Sequence, residues 1–163
     1  MSASHLESIG SQHIERLVQF RVKADADLLA AIQEAIEAEK IQAGVIVSGL
    51  GALKKAVFRN LRWFPENFPV TPQDRLYLEL EQPMELVSLM GWIAPNRGGG
   101  VEVHAHFAAS MVEGDRIVTL GGHLTQGTVC GIKTAVAIAV LSEGSVYAAE
   151  DSGTKSFDIF FEK

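Results

Sequence analysis

Cysteine occurs once in this chain, at position 130, which excludes an internal disulfide and any metal site built from several thiolates. Aromatic residues are sparse at 7%, and five prolines interrupt 163 residues. Lysine and arginine number 14 against 20 acidic residues. The resulting net charge of −6 works against general affinity for polyanions, although a local basic patch can override it. Long apolar runs are missing too. The longest covers residues 134–141, far short of the ~20 residues that cross a bilayer as a helix. The first residues, Met-Ser-Ala-Ser-His-Leu-Glu-Ser, carry neither the basic stretch nor the apolar core of a secretory signal. A cytoplasmic protein without membrane contact is the expectation.

What is present is ordinary globular composition, 47% apolar and 21% charged, in a chain of one-domain length. Residues 1–14, small and polar, are expected to form a flexible segment ahead of a single domain over 15–163. Val18, Phe20 and Val22 alternate with Gln19, Arg21 and Lys23, a strand pattern. A helix follows, capped by Asp25 or Asp27, with Leu28, Leu29, Ile32, Ala35 and Ile36 on one stripe and Gly44 as its stop. Beyond it nearly everything reads as strand: 45–47, 53–59, 75–80, 84–93, 101–112, 116–120, 128–141 and 155–161. Ser48-Gly49-Leu50-Gly51 reads as a turn between the first two, and Glu113-Gly114-Asp115 as a hairpin. Pro65, Pro69 and Pro72 mark a loop over 60–74, because proline cannot donate to a ladder. One helix among many strands implies an α+β fold with mostly antiparallel pairing. Strand 128–141 is apolar on both faces over its second half, so it is either central in the sheet or buried at a subunit interface.

The chemistry concentrates where histidine does. Three of the five histidines fall at 104, 106 and 123. Strand alternation places His104 and His106 on one face, with Cα atoms roughly 7 Å apart. The hairpin at Gly114 brings the following segment back, so that His123, in a Gly-Gly-His-Leu turn, comes within reach of both. Three imidazoles suit a zinc ion that keeps a fourth position for water, although nickel, iron and copper also accept imidazole. The competing reading is a set of hydrogen-bonded imidazoles in a polar cleft. Glu102, on the His104 face, and Glu85, in an otherwise apolar motif, are candidates for a fourth ligand, a tautomer-fixing partner or a general base. Glu85 is the preferred catalytic candidate, and Glu102 is expected to face solvent. Lys54, Lys55, Arg59 and Arg62, interleaved with Phe58, Trp63 and Phe64, are either a nucleic-acid contact or a solvated edge. Cys130 reads as a packed small residue.

Gly49-Leu50-Gly51-Ala52-Leu53, Glu85-Leu86-Val87-Ser88-Leu89-Met90-Gly91, His104-Ala105-His106, Gly121-Gly122-His123-Leu124 and Asp151-Ser152-Gly153 occur in the order seen in the PPC domain, the "plants and prokaryotes conserved" domain or DUF296. The chain resembles its stand-alone prokaryotic type over residues 16 to 161. That resemblance implies a strongly curved, barrel-like antiparallel sheet packed on one helix, a homotrimer, and a shape related to acetolactate decarboxylase, which holds zinc through three histidines. It extends the metal reading of His104, His106 and His123 toward lyase or hydrolase chemistry on a small molecule. Plant members take their DNA contact from an AT-hook. None is present here, so nucleic acid is not an expected direct partner, and a DNA-associated or protein-binding scaffold role is the alternative. Ala105 stands where leucine is commoner in the family.

Overall fold

A computed structural model describes residues 5–142, 144 and 146–161. Strands β1 (Ile14–Val22), β2 (Gly44–Leu61), β3 (Arg75–Pro95), β4 (Val101–Glu113), β5 (Arg116–Leu124) and β6 (Val129–Leu141) form one antiparallel sheet in the order β1-β6-β2-β3-β4-β5. Helix α1 (Leu28–Ala38) packs against it, and β7 (Val146–Glu150) pairs with β8 (Phe157–Phe161) as a separate ribbon. Of the N-terminal segment, residues 1–4 lie outside the described residues. Gln12 and His13 hydrogen-bond to Ser142.

The helix starts where the carboxylate pattern expects it. Asp27, not Asp25, is the cap: one of its oxygens accepts the Ala30 amide at 2.9 Å and the other accepts the Gly127 amide at 2.6 Å. Its end differs from expectation. Gly44 opens β2, and the stop is Lys40, with φ of 53°. The amides of Lys40 and Ile41 donate to the carbonyls of Glu37 and Ile36, a Schellman motif that takes lysine in the left-handed position usually held by glycine. Leu28, Ile32 and Ile36 are buried, and they share a core with Ile41 of the connection to β2 and with Ile46, Leu53 and Phe58 from the sheet.

Two expected pairs of strands prove to be single long ones. Residues 45–47 and 53–59 join through Ser48–Gly51 as β2, and 75–80 and 84–93 join as β3. What reads locally as a turn is a series of bulges, with register shifts against β6 between Ile46 and Ser48 and between Gly51 and Leu53. Gly51 has φ of 143°, and a Cβ there would fall 2.0 Å from the Lys133 carbonyl oxygen, so no other residue permits the bend. The bend curls the sheet until β5 meets β2 again at Phe58–Leu124 and Arg59–His123. Among the described residues β1 nevertheless keeps a free edge, so the sheet is curved but not closed, a correction to the barrel-like form. β6 sits between β1 and β2, and the end of its apolar half is covered on both faces within the chain: Val136, Ile138 and Val140 join the main core, while Leu141 packs with Val146 and Ala148 of β7.

Candidate metal centre

β4 alternates as its sequence dictates. Ala105, Phe107, Ala109 and Met111 turn inward and are buried, leaving Glu102, His104 and His106 on the opposite face. β5 runs longer than its pattern suggests and carries His123 as a strand residue rather than in a turn, directly opposite His106. Gly91 of β3 lies opposite Ala105, and a Cβ there would come 2.4 Å from the His104 carbonyl oxygen. The bare backbone lets β3 and β4 approach closely beneath the pair of histidines.

The three rings converge. Centroids lie 5.3 Å apart for His104 and His106, 4.7 Å for His104 and His123, and 5.1 Å for His106 and His123. One ring nitrogen from each falls within 4.8 Å of the others, and among the described residues this is the one His, Cys, Asp or Glu cluster so arranged. The Nε2 atoms of His104 and His106 are 3.2 Å apart. Two nitrogens bound at ~2.0–2.1 Å on a tetrahedral ion stand about 3.3–3.4 Å from each other, so this pair already has the spacing of two zinc ligands. The donor set fits a transition metal. His104 and His123 are half-buried and His106 is exposed, so the cluster has an open side.

All three imidazoles are held below their ordinary pKa. For His104 burial is the main cause, opposed by Asp158 and aided by Arg59; for His106 burial is followed by His104 and Arg59. His123 is pushed down to about 3 by burial, then by Arg59 and the other two rings. Neutral imidazole is the ligand form, so at neutral pH no proton has to leave before a metal enters. The same shifts set the acid response of metal-free protein. As pH falls below 6.5, the unfolded chain takes up protons that the native cluster refuses, so stability falls with pH from 6.5 down toward 3. Urea titrations of metal-free protein between pH 7.5 and 5 are expected to show falling stability, with a shallower fall in His123→Gln. An identical slope in that variant would refute the assignment.

Of the two glutamates only Glu85 separates from this cluster; Glu102, expected to face solvent, is partly buried and shares a groove with His123. Glu85 is exposed on β3 opposite Ser110, four positions along β4 from His106, or about 13 Å by strand rise. Glu102 is partly exposed, one residue before Val103, and lines a groove with Arg59, Tyr77 and His123. Nor do the basic residues make a continuous patch. Lys54 pairs with Asp25, Lys55 with Glu79 at 2.7 Å, and the Arg62 Nε donates to the Arg75 carbonyl at 3.1 Å. Phe58 is buried, stacked on Phe107 with centroids 4.8 Å apart, and the Trp63 indole donates to Asp74. Cys130 is buried, as expected, and burial raises its thiol pKa. Two charged neighbours of the histidines escape sequence reasoning: Arg59, visible there only as part of a basic stretch, and Asp158, which nothing in its local pattern singles out.

Residues 10–142 match the model of the Plants and Prokaryotes Conserved (PCC) domain, elsewhere abbreviated PPC. The chain belongs to this family. No curated protein matches it. Among solved structures, this PCC-domain chain is similar to a metal-containing protein from Archaeoglobus fulgidus, with 23% identity, TM-score 0.73, and coverage of 95% of this chain and 99% of that one. It is also similar to a plant- and prokaryote-conserved protein from Pyrococcus horikoshii, with 25% identity, TM-score 0.71, and coverage of 95% and 96%. A third, from Bacteroides thetaiotaomicron and described with a suggested DNA-binding role, shares 18% identity at TM-score 0.72 over 94% and 98%. The likenesses under 25% establish the shared fold. The family match ends before β7 and β8, so the ribbon that carries Asp158 lies outside it.

Proposed function

We propose that this PCC-domain protein binds a divalent transition metal, zinc foremost, through His104, His106 and His123. The observation that carries the reading is the convergence of three imidazole nitrogens from β4 and β5 within 4.8 Å. The metal-containing description of the Archaeoglobus relative supports it. A bound ion of this type supplies Lewis acidity and a water of lowered pKa. The chain's own part is to present neutral rings, to hold them on paired strands, and to leave the outer side open at His106. The family resemblance suggests lyase or hydrolase chemistry on a small molecule. Glu85, exposed some distance along the sheet, is left out of this centre.

The same resemblance suggests a cytoplasmic homotrimer, and the sheet leaves apolar side chains for such an assembly to cover: Val47, Leu50, Met90 and Ile132 are all more than half exposed. No helix among the described residues is long and apolar enough to cross a membrane.

The test is elemental analysis of purified protein before and after zinc incubation and dialysis, with light scattering on the same sample. One ion per chain in a particle of three chains is expected. Protein that stays metal-free after incubation would sink the metal reading, and a monomer at micromolar concentration would sink the trimer. The DNA-associated alternative draws on the Bacteroides relative's description alone, and three of the four cations of the basic stretch already have partners.

A further inference from the structure

A groove of about 550 Å³ opens in the connection from β2 to β3, between Trp63 and Asp74, a size that suits a small molecule. Its walls carry aromatic rings that folding leaves uncovered: Trp63 is 55% exposed and Phe64 86%. Trp63 is nevertheless held in place. Its indole N–H donates to one carboxylate oxygen of Asp74 at 2.8 Å, and the other oxygen accepts the Thr71 amide and hydroxyl, each at 2.7 Å. An indole tied at its edge and more than half uncovered is a rigid platform, so little rotamer freedom is lost when a ligand stacks on it.

The groove is negative. Glu66 and Asp74 both line it, and no lysine or arginine among the described residues does. Arg62, next to Trp63 in sequence, turns its Nε to the Arg75 carbonyl instead. Hydrogen bonds from Thr71 hold Asp74 below the ordinary carboxylate range, so it stays ionised. Aromatic ring faces are negative too, so Trp63 and Phe64 attract what the carboxylates attract, a cation. The kind of cation follows from Asp74. Its oxygens already accept three donors, so it offers charge but little remaining hydrogen-bonding capacity. A primary ammonium that gave up water here would leave its N–H groups poorly matched. A fully alkylated nitrogen donates nothing and packs its methyl groups on aromatic faces. A phosphate or carboxylate attached to that nitrogen would be repelled by Glu66 and Asp74.

We propose that the groove between Trp63 and Asp74 binds a small alkylated ammonium ion that carries no anionic group, held on the ring faces of Trp63 and Phe64 and by the charge of Glu66 and Asp74. The site shares no lining residue with the histidine cluster and does not depend on the metal reading.

The chain has two tryptophans, so isotope-labelled protein gives separate indole N–H resonances for Trp63 and Trp92, told apart with Trp63→Phe. Titrated with choline, the Trp63 signal of wild type is expected to shift saturably while the Trp92 signal stays in place. Three further probes are expected to bind roughly tenfold more weakly or worse: ammonium, phosphocholine, and the carbon isostere of choline, with a tert-butyl group in place of trimethylammonium. Phe64→Ala, which removes an exposed ring and little packing, is expected to keep its thermal midpoint and to bind choline about two- to thirtyfold more weakly, the range of a cation–π contact. Glu66→Gln should cost about two- to fivefold, because an exposed charge contributes little. A Trp63 signal that choline does not move saturably would overturn the proposal, as would Phe64→Ala that binds choline like wild type. Isostere binding as tight as choline would overturn the role of charge. Ammonium or phosphocholine binding as tight would overturn the ligand class. All of these results leave the metal reading standing.

Discussion

Alanine in place of His123 is expected to remove stoichiometric zinc from the protein while leaving it folded. His123 is the only ligand β5 contributes, and without it two imidazoles 3.2 Å apart on one strand remain. Losing a partner that only orients a ligand costs roughly 10–100-fold in affinity, so losing a ligand from a set of three should exceed that range. The ring is half-buried and its strand neighbours are two glycines on one side and buried Leu124 on the other, so truncation disturbs little packing. Competition against a chromophoric chelator reads the affinity, and thermal melts of metal-free protein check the fold. Glu85→Ala, far along β3, serves as the control that keeps zinc. A His123→Ala protein that retains zinc with wild-type affinity would mean that the histidine cluster is not the site.

Phe107→Ala should be the most destabilising single truncation near the centre. Phe107 lies between His106 and Ala108 but points inward, where it is 3% exposed and stacks on Phe58 at an interplanar angle of 10°. Truncating a buried phenylalanine costs about 3–5 kcal/mol, from lost transfer free energy and from the cavity left behind. Here the stack adds a further contribution of about 0.5–1.5 kcal/mol. Urea unfolding of metal-free protein measures it, and a change below about 1 kcal/mol would contradict this packing. The variant also separates two roles of β4. Its inward row carries stability and its outward row carries the histidines, so zinc stoichiometry should survive at temperatures where Phe107→Ala is still folded.

The metal reading rests on the imidazole cluster, whose three side chains all lie within the residues 10–142 that place the chain in its family. It does not require the C-terminal ribbon. β7 and β8 pack on the end of β3, where Trp92 meets Phe161 edge-on at 5.0 Å. Trp92 is the cross-strand neighbour of His104, which explains how a residue as distant in sequence as Asp158 influences that ring.

Features governed by local chemistry were legible in the sequence alone. Asp27 caps α1 because a carboxylate immediately before the apolar stripe can accept the free amides of the first turn. Gly114, with φ of 58°, makes the hairpin that was expected between β4 and β5. A period of two is enough to put His104 and His106 on one face, and it also buries Phe107. Adjacency of distant strands was not legible. Ser48–Gly51 carries the composition of a turn, yet it stays within β2 because the backbone of β6 passes too closely for any side chain at Gly51, and bulges absorb the strain. The curl they impose brings β5 back onto β2, so His123 meets Arg59 on one side and His106 on the other. Periodicity tells each residue which face it occupies. Only burial of the whole curved sheet against α1 decides which strands become neighbours, and so which charged group stands beside the histidines.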